Sequence, residues 1–115
     1  MVILQEFSVD LEDLTDKVEI LKALAHPVRL CIVRGLLYNE GCNVSKMQGC
    51  IDIPQSTLSQ HLAKLRDLKI VKSKRNGVEM NYYLDSKETE RIVKALFPEG
   101  KFKEKLSNFK EDKNE

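Results

Sequence analysis

Pro54-Gln55-Ser56-Thr57-Leu58-Ser59-Gln60-His61-Leu62-Ala63-Lys64-Leu65 decides the fold of this chain. Leu58, Leu62 and Leu65 recur at helical spacing, so they share one face. Gln55, Ser56, Thr57, Ser59, Gln60 and Lys64 point elsewhere, and the short amides and hydroxyls crowd the helix start. Such groups suit the edges of base pairs: amides pair with adenine, and hydroxyls donate or accept with most bases. The plainer alternative is a solvated polar face, although a helix face without a partner usually carries more Glu and Lys.

The residues after this helix favour base-edge contact over a solvated face. Ile70-Val71-Lys72-Ser73-Lys74-Arg75 and Val78-Glu79-Met80-Asn81-Tyr82-Tyr83-Leu84 are two β-prone runs around Asn76-Gly77. Asn-Gly is a strong hairpin signal because both residues tolerate positive φ, so the turn is expected to centre on that pair. A helix, a short link and a basic-tipped hairpin come in the order of a winged helix-turn-helix. The helix would then lie in the major groove of DNA, with the hairpin tip reaching the neighbouring backbone or minor groove.

Residues 1–8 read as a loose arm. A first helix is expected over about 9–25, where Leu11, Leu14, Val18, Leu21 and Ala25 form a stripe and early acids suit the helix dipole. Pro27 ends it and opens a very apolar second helix, about 27–38. Asn43 caps a short helix, about 44–50, and the recognition helix covers about 54–68. Strands are expected over 70–75 and 78–84. Asp85-Ser86-Lys87-Glu88 has capping-box spacing from Asp85 to Glu88 and opens a last helix to about Phe97. Residues 98–115 read as a charged, partly disordered tail, in which Phe102, Leu106 and Phe109 keep helical spacing. The expected fold is mainly α with a small β-hairpin: about five helices plus a two-stranded wing, with one domain over 9–97.

Composition bounds the rest. The chain has 115 residues, 42% of them apolar, enough for one domain with its own core. No apolar run approaches a membrane span, and the start lacks a signal peptide, so a cytoplasmic protein without a membrane partner is expected. The net charge of +1 conceals a polarity. Residues 1–21 hold six acids against one base; residues 53–78 hold six bases against one acid. The basic segment coincides with the recognition helix and hairpin, where a polyanion would bind. No phosphate loop, paired-carboxylate site or cofactor motif is present, so neither an enzyme nor a cofactor is expected. A winged helix that binds protein instead of DNA is an alternative that the basic stretch argues against.

Three motifs carry a family resemblance. Ala23-Leu24-Ala25-His26-Pro27-Val28-Arg29-Leu30, Gln55-Ser56-Thr57-Leu58-Ser59-Gln60-His61-Leu62, and Arg75-Asn76-Gly77 with Tyr82-Tyr83 resemble the signatures of the ArsR/SmtB family of winged-helix repressors. The resemblance covers roughly residues 15–97. It implies a DNA-binding homodimer, paired through its first and last helices, that leaves its operator when an inducer binds. Two-fold symmetry would then call for double-stranded DNA with an inverted repeat. The expected DNA contacts are Gln55, Ser56, Thr57, Ser59 and Gln60 on base edges and nearby phosphates, with Lys64, Lys74 and Arg75 on the backbone or minor groove. His61 is expected to pack beneath the helix.

The family's metal sites are not expected here. The positions of its Cys-x-Cys pair fall on Asn43 and Ser45, and residues 85–102 contain no histidine. Cys31, Cys42 and Cys50 are read as free thiols; together they would suit only a soft ion, and only if Cys31 faced the other two. A thiol sensor is the sharper alternative. Cys42 and Cys50 flank the short helix and are expected to be the reachable pair, with Cys31 buried. An intact helix would hold the flanking pair roughly 12 Å apart, too far for a disulfide.

Overall fold

The computed structural model describes Ser8 and residues 10–98. The chain forms α1 (Leu11–Leu24), α2 (Pro27–Tyr38), β1 (Cys42–Asn43), α3 (Val44–Gln48), α4 (Gln55–Asp67), β2 (Val71–Asn76), β3 (Glu79–Leu84) and α5 (Lys87–Leu96). Residues 1–7 of the expected arm and the Phe102, Leu106 and Phe109 pattern lie outside the described residues. Among those described, no helix is long and apolar enough to cross a membrane.

Local chemistry sets the helix starts. The Asp10 carboxylate accepts from the N–H groups of Glu12 and Asp13 at the head of α1. Pro27 occupies the first turn of α2, where its missing N–H costs nothing, and His26 caps that helix through Nδ1, 3.1 Å from Val28 N. Asn43 Oδ1 caps α3 at 2.8 Å from Lys46 N. The start of α5 departs from the expected Asp85–Glu88 box. Ser86 is the cap, its Oγ accepting from Thr89 N at 3.1 Å and from Thr89 Oγ1 at 2.9 Å. Asp85 is taken up by the sheet end: its N–H donates to Ile70 O and its carboxylate lies 3.8 Å from Lys72. Glu88 pairs across to Lys17 on α1.

The wing is larger than a hairpin. Its strands run antiparallel in the order β1-β3-β2, with Cys42 opposite Tyr82 and Asn43 opposite Asn81. A two-residue strand has no periodicity of its own; only the edge of β3 defines it. The turn also shifts by one residue. Asn76 still pairs with Glu79, so Gly77 and Val78 are its central residues, and Gly77 alone takes positive φ, at 67°. Positive φ at the first central position only is the pattern of a type II′ turn.

One core joins the layers. Leu58, Leu62 and Leu65 of α4 bury themselves against Val28, Ile32, Val33 and Leu36 of α2, the sheet residues Ile70 and Val71, and Val93 of α5. Of α1, only Ala23 and Leu24 are buried. Leu11, Val18 and Leu21 of its expected stripe are exposed, and so is Leu96 on α5.

Candidate nucleic-acid interface

The α4 helix is held by what precedes it. Ile51 and Ile53 are buried in the turn after α3, and the Ile51 N–H reaches Met47 O at 2.7 Å. They anchor the chain so that Pro54 can start α4 at a set angle to α3, the geometry of a helix-turn-helix. With its leucines inward, α4 turns Gln55, Ser56, Ser59, Gln60 and Lys64 to solvent, and Thr57 half-way out. Their side chains make no hydrogen bond or ion pair within the described residues, so the donors and acceptors stand ready for a partner. At its other end α4 closes with Lys69 in the left-handed region at φ 60°, the Ile70 N–H returning to Leu65 O at 2.9 Å.

His61 lies on the inner flank of α4, as expected. Its ring centroid is 4.6 Å from that of His26, and its Nδ1 lies 3.5 Å from Arg29 Nη1. Arg29 Nε also donates to Ala23 O at 2.7 Å. This cluster locks the α1–α2 junction to the base of α4. Sequence reasoning passed over Arg29, although its place beside His26-Pro27 was the available signal.

Lys74 and Arg75 are both exposed on β2, but successive strand residues face opposite sides of a sheet. The hairpin therefore presents them on its two flanks and not as one patch. Lys74 Nζ lies 5.6 Å from the centre of the Tyr83 ring. The Tyr83 ring also covers Gly41, whose φ of 78° only glycine adopts easily. Through Gly41 N–H to Tyr82 O, and then β1, the wing is stitched to the cap of α3. Wing and helix-turn-helix thus form one body. Lys46, exposed on α3, extends the basic surface and was also passed over.

The cysteines do not form the expected exposed pair. The short helix covers only Val44–Gln48, so Cys42 lies in β1, half-buried, with its Sγ 3.6 Å from Asn43 O. Burial pushes the Cys42 thiol up, with Lys46 pulling it back in part. Cys31 is likewise half-buried, and not fully buried as expected; burial pushes its thiol up, with Arg34 pulling it back in part. Cys50 alone is exposed. The donor set does not fit the family's metal sites: Asn43 spends its side-chain oxygen on capping α3, and Ser45 stands where the second thiol would be. Among the described residues no three His, Cys, Asp or Glu side chains group around a common point.

A second surface lies away from α4. Leu11, Val18 and Leu21 expose apolar area on α1, and Leu96 does so on α5. Lys17 ties the two helices together, bonded to Asp13 on its own helix and to Glu88 on α5; Asp13 first, then Glu88, holds its ammonium above the ordinary lysine range.

Comparison with known proteins agrees with this geometry. Residues 24–74 match the family of helix-turn-helix domains. The chain is 38% identical over 98 residues to the transcriptional repressor PagR of Bacillus anthracis, covering 85% of this chain and 98% of that one. The PagR crystal structure superposes with a TM-score of 0.70 over 76% of this chain and 99% of that one, at 40% identity. The repressor SmtB of Mycobacterium tuberculosis is 37% identical over 75 residues, 65% of this chain and 55% of its own length. Reduced HlyU from Vibrio cholerae superposes at a TM-score of 0.74 with 34% identity, covering 83% of this chain and 96% of that one.

Proposed function

This chain belongs to the ArsR/SmtB family of winged helix-turn-helix transcriptional repressors, and on that footing we propose that it is a homodimeric repressor reading an inverted-repeat operator in double-stranded DNA. The observation that carries the reading is α4: its leucines are locked in the core while a row of unpartnered amides and hydroxyls faces solvent. Buried leucines fix the helix, and the exposed row supplies groups that match base edges.

Gln55, Ser56, Thr57, Ser59 and Gln60 contact base edges and the nearest phosphates. Lys64 takes backbone phosphate, and Lys74 and Arg75 take the phosphate walls on either side of the wing. Two copies pair through the apolar faces of α1 and α5, which sets the two α4 helices one helical turn of DNA apart, about 34–36 Å. A partner protein is disfavoured because the α4 face lacks the large apolar anchors of a protein interface. The role is regulatory and not enzymatic, and a DNA reader of this kind works in the cytoplasm.

Gel-shift titration against an inverted-repeat duplex from a randomised pool, at rising salt, tests the reading. The expected outcome is a dimeric complex on the two-half-site duplex whose affinity falls linearly with salt on a log–log scale. Equal affinity for a single half-site, or a monomer at micromolar concentration by sedimentation, would refute it.

A further inference from the structure

Six large apolar side chains stand exposed among the described residues. Leu11, Val18 and Leu21 lie on α1, Tyr38 on α2 and Leu96 on α5. Val78 is separate from all of these, at the tip of the β2–β3 turn, and is the most exposed at 96%. Neither the core nor the turn accounts for it. It buries nothing, and the second central position of a Gly-first two-residue turn is usually filled by Asn, Asp or Ser. A β-branched apolar residue there contributes nothing to the hairpin itself.

Its surroundings are specific. The strand leading to it carries Lys74 and Arg75, both exposed, on opposite faces of the sheet. Gly77, with open space around it, keeps the tip thin. The end of the hairpin is therefore a narrow apolar point between two positive flanks. The minor groove, about 6 Å wide, has the complementary form: sugar walls that are largely apolar, with phosphates along both rims.

We propose that Val78 is a specificity residue: its isopropyl group enters the minor groove beside the half-site read by α4 and disfavours G·C pairs there. The inference rests on the DNA-binding function proposed for α4 and the wing. On the groove floor A·T pairs present only acceptors, whereas G·C adds the guanine N2 amino donor. An isopropyl group pressed onto the floor desolvates that donor and offers it no acceptor. Against an A·T floor it loses less, and it gains contact with the sugar walls.

The test uses duplexes recovered by the wild-type protein from a randomised pool. Pairs flanking each half-site are changed one at a time to A·T, G·C or inosine·C. Inosine keeps the major-groove edge of guanine and lacks only the minor-groove amino group. Wild type should bind the A·T and inosine·C duplexes alike and the G·C duplex roughly three- to tenfold more weakly at one flanking position. Val78→Ser should bind all three alike, and Val78→Ile should keep the discrimination. Thermal unfolding of Val78→Ser should match wild type, since the side chain packs on nothing. The inference is overturned if Val78→Ser keeps the wild-type ratio, if inosine·C behaves as G·C does, or if wild type shows no flank preference. Loss of the DNA-binding function has a different signature: no selected duplex outcompetes random sequence, before any flank is compared.

Discussion

Gly41→Ala tests whether the wing is truly stitched to the helix-turn-helix. Gly41 has φ of 78°, and a Cβ built there would lie 3.2 Å from Tyr83 Oη and 3.4 Å from two ring carbons. The left-handed backbone alone costs an alanine about 1–2 kcal/mol. Alanine recovers about 0.4–1 kcal/mol of this by restricting the unfolded chain. The remainder depends on the ring, which must retreat by a few tenths of an ångström while Gly41 N–H keeps its 3.1 Å bond to Tyr82 O. A net loss of about 1–2 kcal/mol is expected, within the usual range for strain at a special φ. The chain has no tryptophan, so urea unfolding is monitored by circular dichroism, at one protomer concentration because dimer stability depends on it. The midpoint should fall with the slope unchanged. In a Tyr83→Ala background the φ cost persists and the ring cost disappears, so the two losses should be less than additive. A Gly41→Ala stability within about 0.3 kcal/mol of wild type would refute the combined backbone and ring cost. Strict additivity would refute the ring contact.

Gln60→Ala should lose about 1–3 kcal/mol on the selected duplex and far less on random DNA, whereas Arg75→Ala should weaken both and reduce the salt slope by about one; an unchanged slope would remove Arg75 from the backbone contacts. Zinc, cobalt and nickel should leave operator affinity unchanged, because Asn43 and Ser45 occupy the positions of the thiol pair; a submicromolar calorimetric zinc site that lowers DNA affinity would contradict this. Iodoacetamide should label Cys50 well before Cys42 and Cys31, whose thiols burial pushes up, with the gap narrowing as pH rises towards the raised values. Equal labelling rates by mass spectrometry at neutral pH would show the two half-buried thiols to be as reachable as Cys50. Paired Leu21→Glu and Leu96→Glu changes should yield monomers by sedimentation, since each charge enters the apolar face proposed to join two copies; an intact dimer would place the interface elsewhere.

Most of this architecture was readable wherever one short-range rule was in sole control. The spacing of Leu58, Leu62 and Leu65 placed the recognition helix to within a residue at each end, because three apolar residues in that pattern can share only a helix face. Pro27 marked the start of α2 for the same kind of reason. The errors fell where two local rules competed. Asp85 and Ser86 are both good caps; Ser86 prevailed because the sheet end had claimed Asp85. Asn76-Gly77 and Gly77-Val78 are both tight-turn pairs; the pairing of Asn76 with Glu79 chose the second.

The sequence by itself determined the order of elements, the polar face of α4 and the basic character of the segment after it. These derive from residue spacing and charge, which are properties of neighbours along the chain. Only the tertiary structure decided the third strand, the half-burial of Cys42, the bond between Lys17 and Glu88, and the apolar faces left uncovered on α1 and α5. Each of these joins residues far apart in sequence, where pairing depends on which surfaces the packed core brings together. The stripe on α1 read as core because periodicity reports that a helix has an apolar face. It does not report whether the chain's own residues or a second copy will cover it.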